Sequence, residues 1–578
     1  MKTLIIGGVA GGASVAARLR RLDEQAEIII LERGEYISFA NCGLPYYIGD
    51  VITKKEYLVL QTPQSFDARF RVEVRTFSEA VAIHTDKKTV TVKNLRTGES
   101  YEEFYDKLVL SPGAEPIRPA YVPANSDRIF TLRNIPDTYK IKDYVTNNQS
   151  KSAIVIGGGY IGLEMIENLR RVGLDVTLLQ RSNQVLRSTL DYDMACLMHK
   201  ELKKHGVHLH FNQTITKVEQ QSNMVCVYTA DGQQHCADML ILSIGVAPES
   251  HLAREAGLAV SEKGCIQVDE HLRTNNEDIY ALGDAIEVTH FVSGLKAHIP
   301  LAGPANRQGR IVADNLAGLD SVYKGTQGTA ILKCFDQTAA GTGLTEAAAK
   351  AAGFDYEKVF VFPLSHAGYY PNACEISMKV IFTKDTGRIL GAQLFGKDGV
   401  DKRCDVLATA IRAGMTMYDL VHLELCYAPP FSSAKDPVNI AGLAAENILT
   451  GKVDIFHYHD IADLNPEEVT LLDVRTIKEY GKSHIPNFIN IPLDSLRSNL
   501  DKLDKSKPVY VTCLAGLRSY IGCRILMQNG FTCKSLCGGY ELYCNVNQKK
   551  HAIAIFMPHL LFLLKFRIGM DNRAEYLY

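Results

Sequence analysis

Ala153-Ile154-Val155-Ile156-Gly157-Gly158-Gly159-Tyr160-Ile161-Gly162 is the stretch that decides the fold of this chain. Four apolar residues make a short buried strand, the glycines make a turn, and an apolar-periodic stretch continues as a helix through Arg171. This is the full G-x-G-x-x-G pattern in the setting that gives it meaning, between a strand and a helix. Glycine lets the turn close and lets backbone N–H groups approach a pyrophosphate, whose charge meets the positive end of the helix. Gly157, Gly159, Tyr160, Ile161 and Gly162 are therefore expected to cradle a dinucleotide. The next apolar run, Val176-Thr177-Leu178-Leu179, delivers Gln180 and Arg181 to the ribose position, where an Asp or Glu would hold a 2′-hydroxyl. Without the acid a 2′-phosphate is not repelled, and Arg181 offers it a partner, which favours tolerance of NADPH beside NADH.

Upstream the pattern recurs. Leu4-Ile5-Ile6 runs into Gly7-Gly8-Val9-Ala10-Gly11-Gly12, a helix pattern follows through Arg21, and Glu27-Ile28-Ile29-Ile30-Leu31 closes on Glu32 and Arg33. Val9 replaces the middle glycine, so this string alone also fits an ordinary strand–turn–helix. Gly7, Gly8, Val9, Ala10 and Gly12 would form the cradle, with Glu32 at the ribose. Two such units call for one dinucleotide each. Three further segments fall in order around them: Ser111-Pro112-Gly113-Ala114-Glu115-Pro116, Gly245-Val246-Ala247-Pro248 and Ile279-Tyr280-Ala281-Leu282-Gly283-Asp284.

The bulk properties agree with a multidomain enzyme. At 578 residues the chain is too long for one core. With 63 Lys and Arg against 65 Asp and Glu, no electrostatic footprint suggests a nucleic acid or an anionic membrane as partner. The 14 cysteines lack metal-ligand spacing, apart from weak near-pairs such as Cys533 and Cys537, and no metal is expected. They read as reduced cytosolic thiols rather than a disulfide framework. The first residues enter a strand directly, leaving no room for a targeting segment, and the expected location is the cytoplasm. The most apolar stretch, Ala552 to Leu564, contains Pro558 and His559 and is shorter than the about 20 residues a bilayer requires.

One cysteine stands apart. Ser38-Phe39-Ala40-Asn41-Cys42-Gly43-Leu44-Pro45-Tyr46-Tyr47 lies just beyond the first nucleotide unit. A flavoenzyme that works through a Cys-x4-Cys pair would carry its second cysteine at position 47, which is tyrosine here. If Cys42 is redox-active, its sulfur partner comes from outside the chain: a small thiol, a persulfide or a peroxide. The bland alternative is a buried structural thiol.

From Met1 to about residue 450 the chain resembles the pyridine nucleotide-disulfide oxidoreductases, and within them the coenzyme A-disulfide reductases. The Cys42 segment, His366-Ala367-Gly368-Tyr369-Tyr370-Pro371 and Tyr427-Ala428-Pro429-Pro430-Phe431-Ser432 carry that likeness. The resemblance implies FAD in the first unit, with Asp284 at the ribityl chain and Gly113 and Gly245 in paired connecting turns. It implies a mixed disulfide between Cys42 and coenzyme A, and a homodimer in which Tyr369 and Tyr427 reach that sulfur from the other subunit. It places Ser14, Arg18, Arg21, Ser38, Asn41, Arg307 and Lys435 around coenzyme A, cations suiting its phosphates. The alternative for Arg18 and Arg21 is a solvated helix face. Where the family tends to place a further basic contact, Phe70 stands. Peroxide-using relatives carry a histidine where this chain has Ala10, which weighs against that chemistry.

A second cysteine with a setting of its own follows. Val469-Thr470-Leu471-Leu472-Asp473-Val474-Arg475 is a short strand closed by Asp and Arg, and Val509-Tyr510-Val511-Thr512 opens into Cys513-Leu514-Ala515-Gly516-Leu517-Arg518-Ser519. A cysteine at a strand end, ahead of a glycine loop and a helix, faces converging N–H groups that favour a thiolate or persulfide, and Arg518 can add a fixed charge. With Gly538-Gly539-Tyr540, these residues resemble a single rhodanese domain. A Cys-x5-Arg phosphatase loop is the alternative, but only four residues separate Cys513 from Arg518.

The expected architecture is α/β: two Rossmann-like dinucleotide-binding domains, an α+β dimerisation domain and a C-terminal α/β rhodanese domain. The boundaries are 1–115 with 250–325 for FAD, 116–249 for NAD(P)H, 326–450 for dimerisation, 456–550 for the rhodanese part, and a 551–578 tail without the usual closing helix. The expected activity is NAD(P)H-dependent reduction of coenzyme A disulfide, persulfide or polysulfide, with Cys42, Tyr369, Tyr427, Cys513 and Arg518 as catalytic groups. An NADH oxidase or peroxidase, a sulfurtransferase or sulfur-delivery protein, and a redox-sensing module are the competing classes.

Overall fold

The computed structural model describes residues 1–547. The 551–578 tail and the apolar Ala552–Leu564 stretch lie outside the described residues. Two compact units form: Met1–Asp191 with Met198–Asp355 and Leu390–Gly414, and Tyr192–Leu197 with Tyr356–Ile389 and Met415 onward.

In the first unit two five-stranded parallel sheets repeat one plan. One runs Ile279–Ala281, Lys107–Leu110, Lys2–Ile6, Glu27–Leu31, Glu73–Arg75 in spatial order. The other runs His208–His210, Asp175–Leu179, Ser152–Ile156, Met239–Leu242, Ile129–Phe130. Their central strands are continuous apolar runs rather than alternating ones, because a parallel sheet covered on both faces buries every side chain. Leu4, Ile5, Ile29, Ile30, Ile154 and Val155 are all buried accordingly, each worth roughly 1.5–3 kcal/mol. The sequence-derived helices appear as Ala10–Leu22 and Tyr160–Arg171.

The glycine turns show why both strings end as they do. A Cβ on Gly12 would stand 1.9 Å from the Gly7 carbonyl oxygen, and one on Gly162 would stand 2.0 Å from that of Gly157. Gly7 and Gly157 adopt φ of +97° and +103°, a region closed to most side chains. The replacement at Val9 is tolerated because that residue only precedes the helix, with φ −99°.

The expectation that all cysteines are reduced is corrected in the second nucleotide domain. Met224–Thr229 and Gln234–Ala237 are antiparallel neighbours whose register sets Cys226 directly opposite Cys236, and the two form a disulfide. Pairing register, invisible in sequence spacing, brings them together. The Cys533–Cys537 near-pair does not meet in this way. The Cys533 thiol lies on the Cys523 carbonyl (3.4 Å) and the Cys537 thiol on that of Lys358 (3.8 Å).

Residues 326–450 supply antiparallel strands and the helix Pro437–Leu449. Ala330–Cys334 and Gln337–Gly343 pair antiparallel in the first unit, while Tyr356–Val361, Ile376–Thr383 and the helix Pro437–Leu449 belong to the second. The second unit also contains a five-stranded parallel sheet in the order Asp454–Phe456, Cys533–Leu536, Val509–Thr512, Thr470–Asp473, Ile489–Asn490. Val509, Val511 and Leu472 fill its centre. Among the described residues no helix is long and apolar enough to cross a membrane.

Candidate functional site

At the first glycine turn, the Gly8 N–H donates to Glu32 Oε2 (2.9 Å) and the Gly34 N–H to Glu32 Oε1 (2.8 Å). Glu32 thus ties the glycine turn after the first strand to the loop that follows its own strand. At the second turn, the Gly158 N–H donates to Gln180 Oε1 (2.8 Å), while Gln180 Nε2 donates to Ser182 Oγ (2.8 Å) and the Gln184 carbonyl (3.1 Å). Arg181 is exposed beside it. Tyr160 Oη meets Thr189 Oγ1 at 2.5 Å, and burial pushes its pKa up. Arg33 is already paired, with Glu249 (2.6 Å) and Glu115 (2.9 Å). Gly113 and Gly245 take positive φ on either side of a short ladder in which Val246–Pro248 pairs with Ala114–Pro116. Asp284 sits in the middle of a short 3-10 turn, Gly283–Ala285, its pKa raised by burial against the pull of Arg133 and His298. The two turns, where a Cβ on Gly7, Gly12, Gly157 or Gly162 would strike backbone, suit a dinucleotide in each, with a carboxylate at the ribose end of the first and the neutral Gln180 amide at that of the second.

Cys42 sits in a 3-10 turn, Asn41–Gly43, that leads into the helix Leu44–Ile48. It lines a cavity of about 600 Å³ together with Ser14, Arg18, Arg21, Ser38 and Asn41, so the cysteine meets five of the seven residues expected around coenzyme A. Ser38 takes the left-handed conformation at φ +43°, uncommon for a residue with a Cβ. It is held by its N–H to the Gly8 carbonyl (2.9 Å) and its carbonyl to the Leu60 N–H (3.2 Å). Asn41 Oδ1 is a buried acceptor with no hydrogen-bond partner among the described residues, which a ligand donor could satisfy. Arg18 is anchored by Asp314 (2.8 Å), and Ser14 Oγ donates to Asn306 Oδ1 (2.6 Å).

Arg307 is exposed on the helix Ala302–Leu316 but is not among the residues lining this cavity. Asn306 and Arg310, one turn apart on that helix, form the wall instead. Phe66 and Phe70 add an apolar wall, so the position without the expected basic contact is filled by an aromatic ring. The sequence offered Asn306 and Arg310 only as members of a polar helix face, with nothing to separate them from Arg307. Burial, then the carboxylates of Glu164 and Asp284, push the Cys42 thiol pKa up. Glu164 is itself raised to about 7, by burial and by Glu167, against a hydrogen bond from Tyr46.

In the second unit, Tyr369 and Tyr427 stand exposed with their hydroxyls 3.2 Å apart, although 58 residues separate them in the chain. That hydrogen bond pushes the Tyr369 pKa up. Lys435 is exposed just ahead of Asp436, which caps the helix Pro437–Leu449.

Cys513 follows the strand Val509–Thr512 and is buried. Its Sγ accepts the Gly516 N–H (3.1 Å) and lies 3.4 Å from Ser519 Oγ, which a further 2.9 Å contact links to Ser535 Oγ. The helix Leu517–Gln528 starts at this loop. Arg518 does not stand free: it makes a two-pronged pair with Glu479 (2.7 and 2.8 Å), whose pKa falls to about 2 chiefly through that bond. Arg475 pairs with Asp473 (2.6 Å), both buried. Glu479, Ser519 and Ser535 were not singled out from the sequence. Only Glu479 carried a signal, as the last residue of a Thr476-x-x-Glu479 capping box.

Three family descriptions match the chain. Residues 1–309 match the pyridine nucleotide-disulphide oxidoreductases, 329–437 the dimerisation domain of that family, and 460–545 a rhodanese-like domain. The coenzyme A disulfide reductase of Staphylococcus epidermidis is 39% identical over 446 residues, covering 77% of this chain and 100% of its own length. The crystal structure of reduced Bacillus anthracis CoADR-RHD superposes with a TM-score of 0.92 at 51% identity, covering 95% of this chain and 98% of that one. The NAD-dependent persulfide reductase of A. fulgidus gives a TM-score of 0.88 at 36% identity, covering 94% and 100%. The chain belongs to the pyridine nucleotide-disulphide oxidoreductase family, as an oxidoreductase that also carries the family's dimerisation domain and a rhodanese-like domain.

Proposed function

We propose that this protein is an FAD-dependent NAD(P)H:coenzyme A disulfide or persulfide reductase that works through one redox cysteine, Cys42, with the rhodanese part handling sulfane sulfur. The observation that carries the reading is the cavity that puts Cys42 in one space with Arg18, Arg21, Arg310 and the unsatisfied Asn41 oxygen. A thiol beside cations suits a long substrate with a sulfur at one end and phosphates at the other. The names of the two relatives that act on coenzyme A disulfide and on persulfide support it. Ala10 lines the same cavity and offers no proton-handling group for a peroxide.

Bound FAD would accept hydride from NAD(P)H and return electrons to the Cys42 sulfur. Gly7, Gly8, Gly12, Glu32 and Asp284 would hold it, and Gly157, Gly159, Gly162 and Gln180 the nicotinamide dinucleotide. Cys42, released as a thiolate, attacks the substrate sulfur, and Tyr369 and Tyr427 of the second subunit in a homodimer supply a proton or stabilise the leaving thiolate. Burial, and after it the Glu164 and Asp284 carboxylates, raise the Cys42 pKa and so disfavour its thiolate. The charge must be stabilised by what binds beside it. Twelve free cysteines against the single Cys226–Cys236 disulfide support a cytoplasmic location.

The test is Cys42→Ser. It should bind FAD as the wild type does and lose NAD(P)H-dependent reduction of both coenzyme A disulfide and coenzyme A persulfide. Near wild-type rates with either substrate would remove Cys42 from the mechanism. Oxygen consumption by the wild type in step with NADH, without release of thiol or sulfide, would select an oxidase instead.

A further inference from the structure

We infer that Cys537 is a second sulfur-handling thiol, which takes the sulfane sulfur from Cys513 with His457 and Glu357 as its activating pair. The inference rests on the reading of Cys513 as a sulfane-sulfur carrier and names the acceptor of that sulfur.

Strand register sets the two cysteines side by side. Val509–Thr512 and Cys533–Leu536 are parallel neighbours in which Tyr510 stands opposite Lys534 and Val511 opposite Ser535. Cys513 and Cys537 are each the first residue past these strands, two positions beyond the Val511–Ser535 pair. Side chains two apart along a strand return to one face, and neighbouring strands run about 4.8 Å apart. Ser535 marks that face: its Oγ lies 2.9 Å from Ser519 Oγ, which is itself 3.4 Å from Cys513 Sγ. The main chains stay together beyond the strands, because the Tyr540 N–H donates to the Cys513 carbonyl (2.8 Å). A Cβ on Gly539 would stand 2.8 Å from that same oxygen.

On its other side Cys537 meets an imidazole. Asp454–Phe456 flanks Cys533–Leu536 with Phe456 opposite Leu536, and the Cys537 N–H continues that ladder to the Phe456 carbonyl (2.9 Å). His457 is thus the register neighbour of Cys537. Its Nε2 donates to Glu357 Oε1 (2.9 Å), an oxygen that also accepts the Lys358 N–H (2.9 Å). Its Nδ1 is buried and closes no hydrogen bond among the described residues. Burial opposes charge on the ring, yet Cys537 and Glu357 push its pKa up to about 9. At neutral pH the ring is therefore an imidazolium, tied to a carboxylate at one nitrogen and with the other left over. A cation beside a thiol favours the nucleophilic thiolate, and a base oriented by a third group marks an activated cysteine. A buried cysteine alone is ordinary core filling, but core filling calls for no paired imidazolium at its side.

The transfer balances without an oxidant. The Cys537 thiolate attacks the outer sulfur of the Cys513 persulfide, and an S–S bond forms at Cys537. The S–S bond at Cys513 breaks, and Cys513 leaves as a thiolate that the Gly516 N–H receives (3.1 Å). The contact of Cys537 Sγ with the Lys358 carbonyl oxygen, at 3.8 Å, is long enough to yield as the sulfur arrives. Cys513 and Cys537 are 1% and 6% exposed, so the sulfur crosses one strand without release to water.

The experiment supplies inorganic polysulfide to the full-length protein at neutral pH. Mass spectrometry of the fragmented chain then follows the gain of one sulfur atom at Cys513 and at Cys537 over time. In the wild type the sulfur should appear at Cys513 first and at Cys537 after a lag. Cys513→Ser should abolish labelling of Cys537, and Cys537→Ser should leave the sulfur resting on Cys513. His457→Gln should slow the handover about tenfold, since an unassisted thiol is mostly protonated at neutral pH, with loading of Cys513 as the check that the domain is folded. Cys537 labelled as fast in Cys513→Ser as in the wild type, a loaded Cys513 that never passes its sulfur on, or a handover that His457→Gln leaves unchanged each overturns the inference while Cys513 remains a carrier. No sulfur on Cys513 in the wild type overturns the sulfane-carrier reading itself, and the inference falls with it.

Discussion

The Gly158 N–H donates to Gln180 Oε1 at 2.8 Å, the counterpart of the 2.9 Å bond from the Gly8 N–H to Glu32 Oε2. One bond therefore recurs in both nucleotide domains, linking the second glycine of the turn to the residue that ends the next strand. What differs is charge. Glu32 presents a carboxylate, whereas Gln180 presents a neutral amide whose nitrogen is already committed to Ser182 and Gln184. The second turn keeps its architecture and gives up the group that would repel a 2′-phosphate.

Gln180→Glu should accordingly retain the Gly158 bond and shift cofactor preference toward NADH, chiefly through KM for NADPH. One added negative charge at a partly solvated site is worth ~1 kcal/mol, or about fivefold in the ratio of kcat/KM values. Steady-state kinetics with both cofactors provide the check. A ratio that does not move would mean that the ribose is held by other residues.

The sequence made the two nucleotide domains legible because their turns are fixed by backbone sterics. Gly12 and Gly162 face carbonyl oxygens that leave no room for a Cβ, and such a constraint shows up as a letter in the string. Cys42 and Cys513 were legible for a similar reason, each placed by a strand or turn immediately beside it. The cavity wall was not. Arg307 and Arg310 lie on one helix, and only its packing decides which of them faces Cys42. Cross-strand register likewise decides that Cys226 meets Cys236, and the clasp of Glu479 on Arg518 depends on two helices far apart in the chain.

That choice between arginines can be tested directly. Arg310→Ala should raise KM for coenzyme A disulfide about tenfold, the loss of one charge-assisted phosphate contact, with kcat little changed. Arg307→Ala should change KM by less than about twofold, in line with its place away from the cavity. The reverse ranking would return Arg307 to the substrate site.

His457 gives the second unit a pH-dependent contribution to stability. Burial opposes its charge, but the side chains of Cys537 and Glu357, the latter 2.9 Å away, outweigh it and push the pKa up to about 9. The folded state therefore binds the proton more tightly than the unfolded chain, whose histidine titrates at about 6.5. The stabilisation is complete below that value and is lost as pH rises through about 9. Between pH 7 and 10 the wild type should lose roughly 2–3 kcal/mol that His457→Gln does not. Thermal melts of both proteins across that range would show parallel pH profiles if the histidine contributes nothing.

The two cysteines can be separated by donor. Cys513→Ser should leave reduction of small coenzyme A disulfide nearly intact, because that reaction calls on Cys42, the flavin and the paired tyrosines. It should slow sulfide release from bulky or polymeric sulfane donors, whose sulfur would first be captured at Cys513 and then passed to coenzyme A. The motive is the environment of the sulfur: a buried Sγ that accepts the Gly516 N–H at the head of the helix Leu517–Gln528 suits a persulfide anion held out of bulk water. Arg518, tied to Glu479, orients the loop more than it charges it, so Arg518→Lys should cost less than Cys513→Ser with the same donors. Rates from polysulfide and from coenzyme A persulfide, measured side by side in the serine variant, decide the matter. A drop confined to polysulfide establishes the relay, and wild-type rates with both donors would leave the rhodanese part an independent sulfurtransferase.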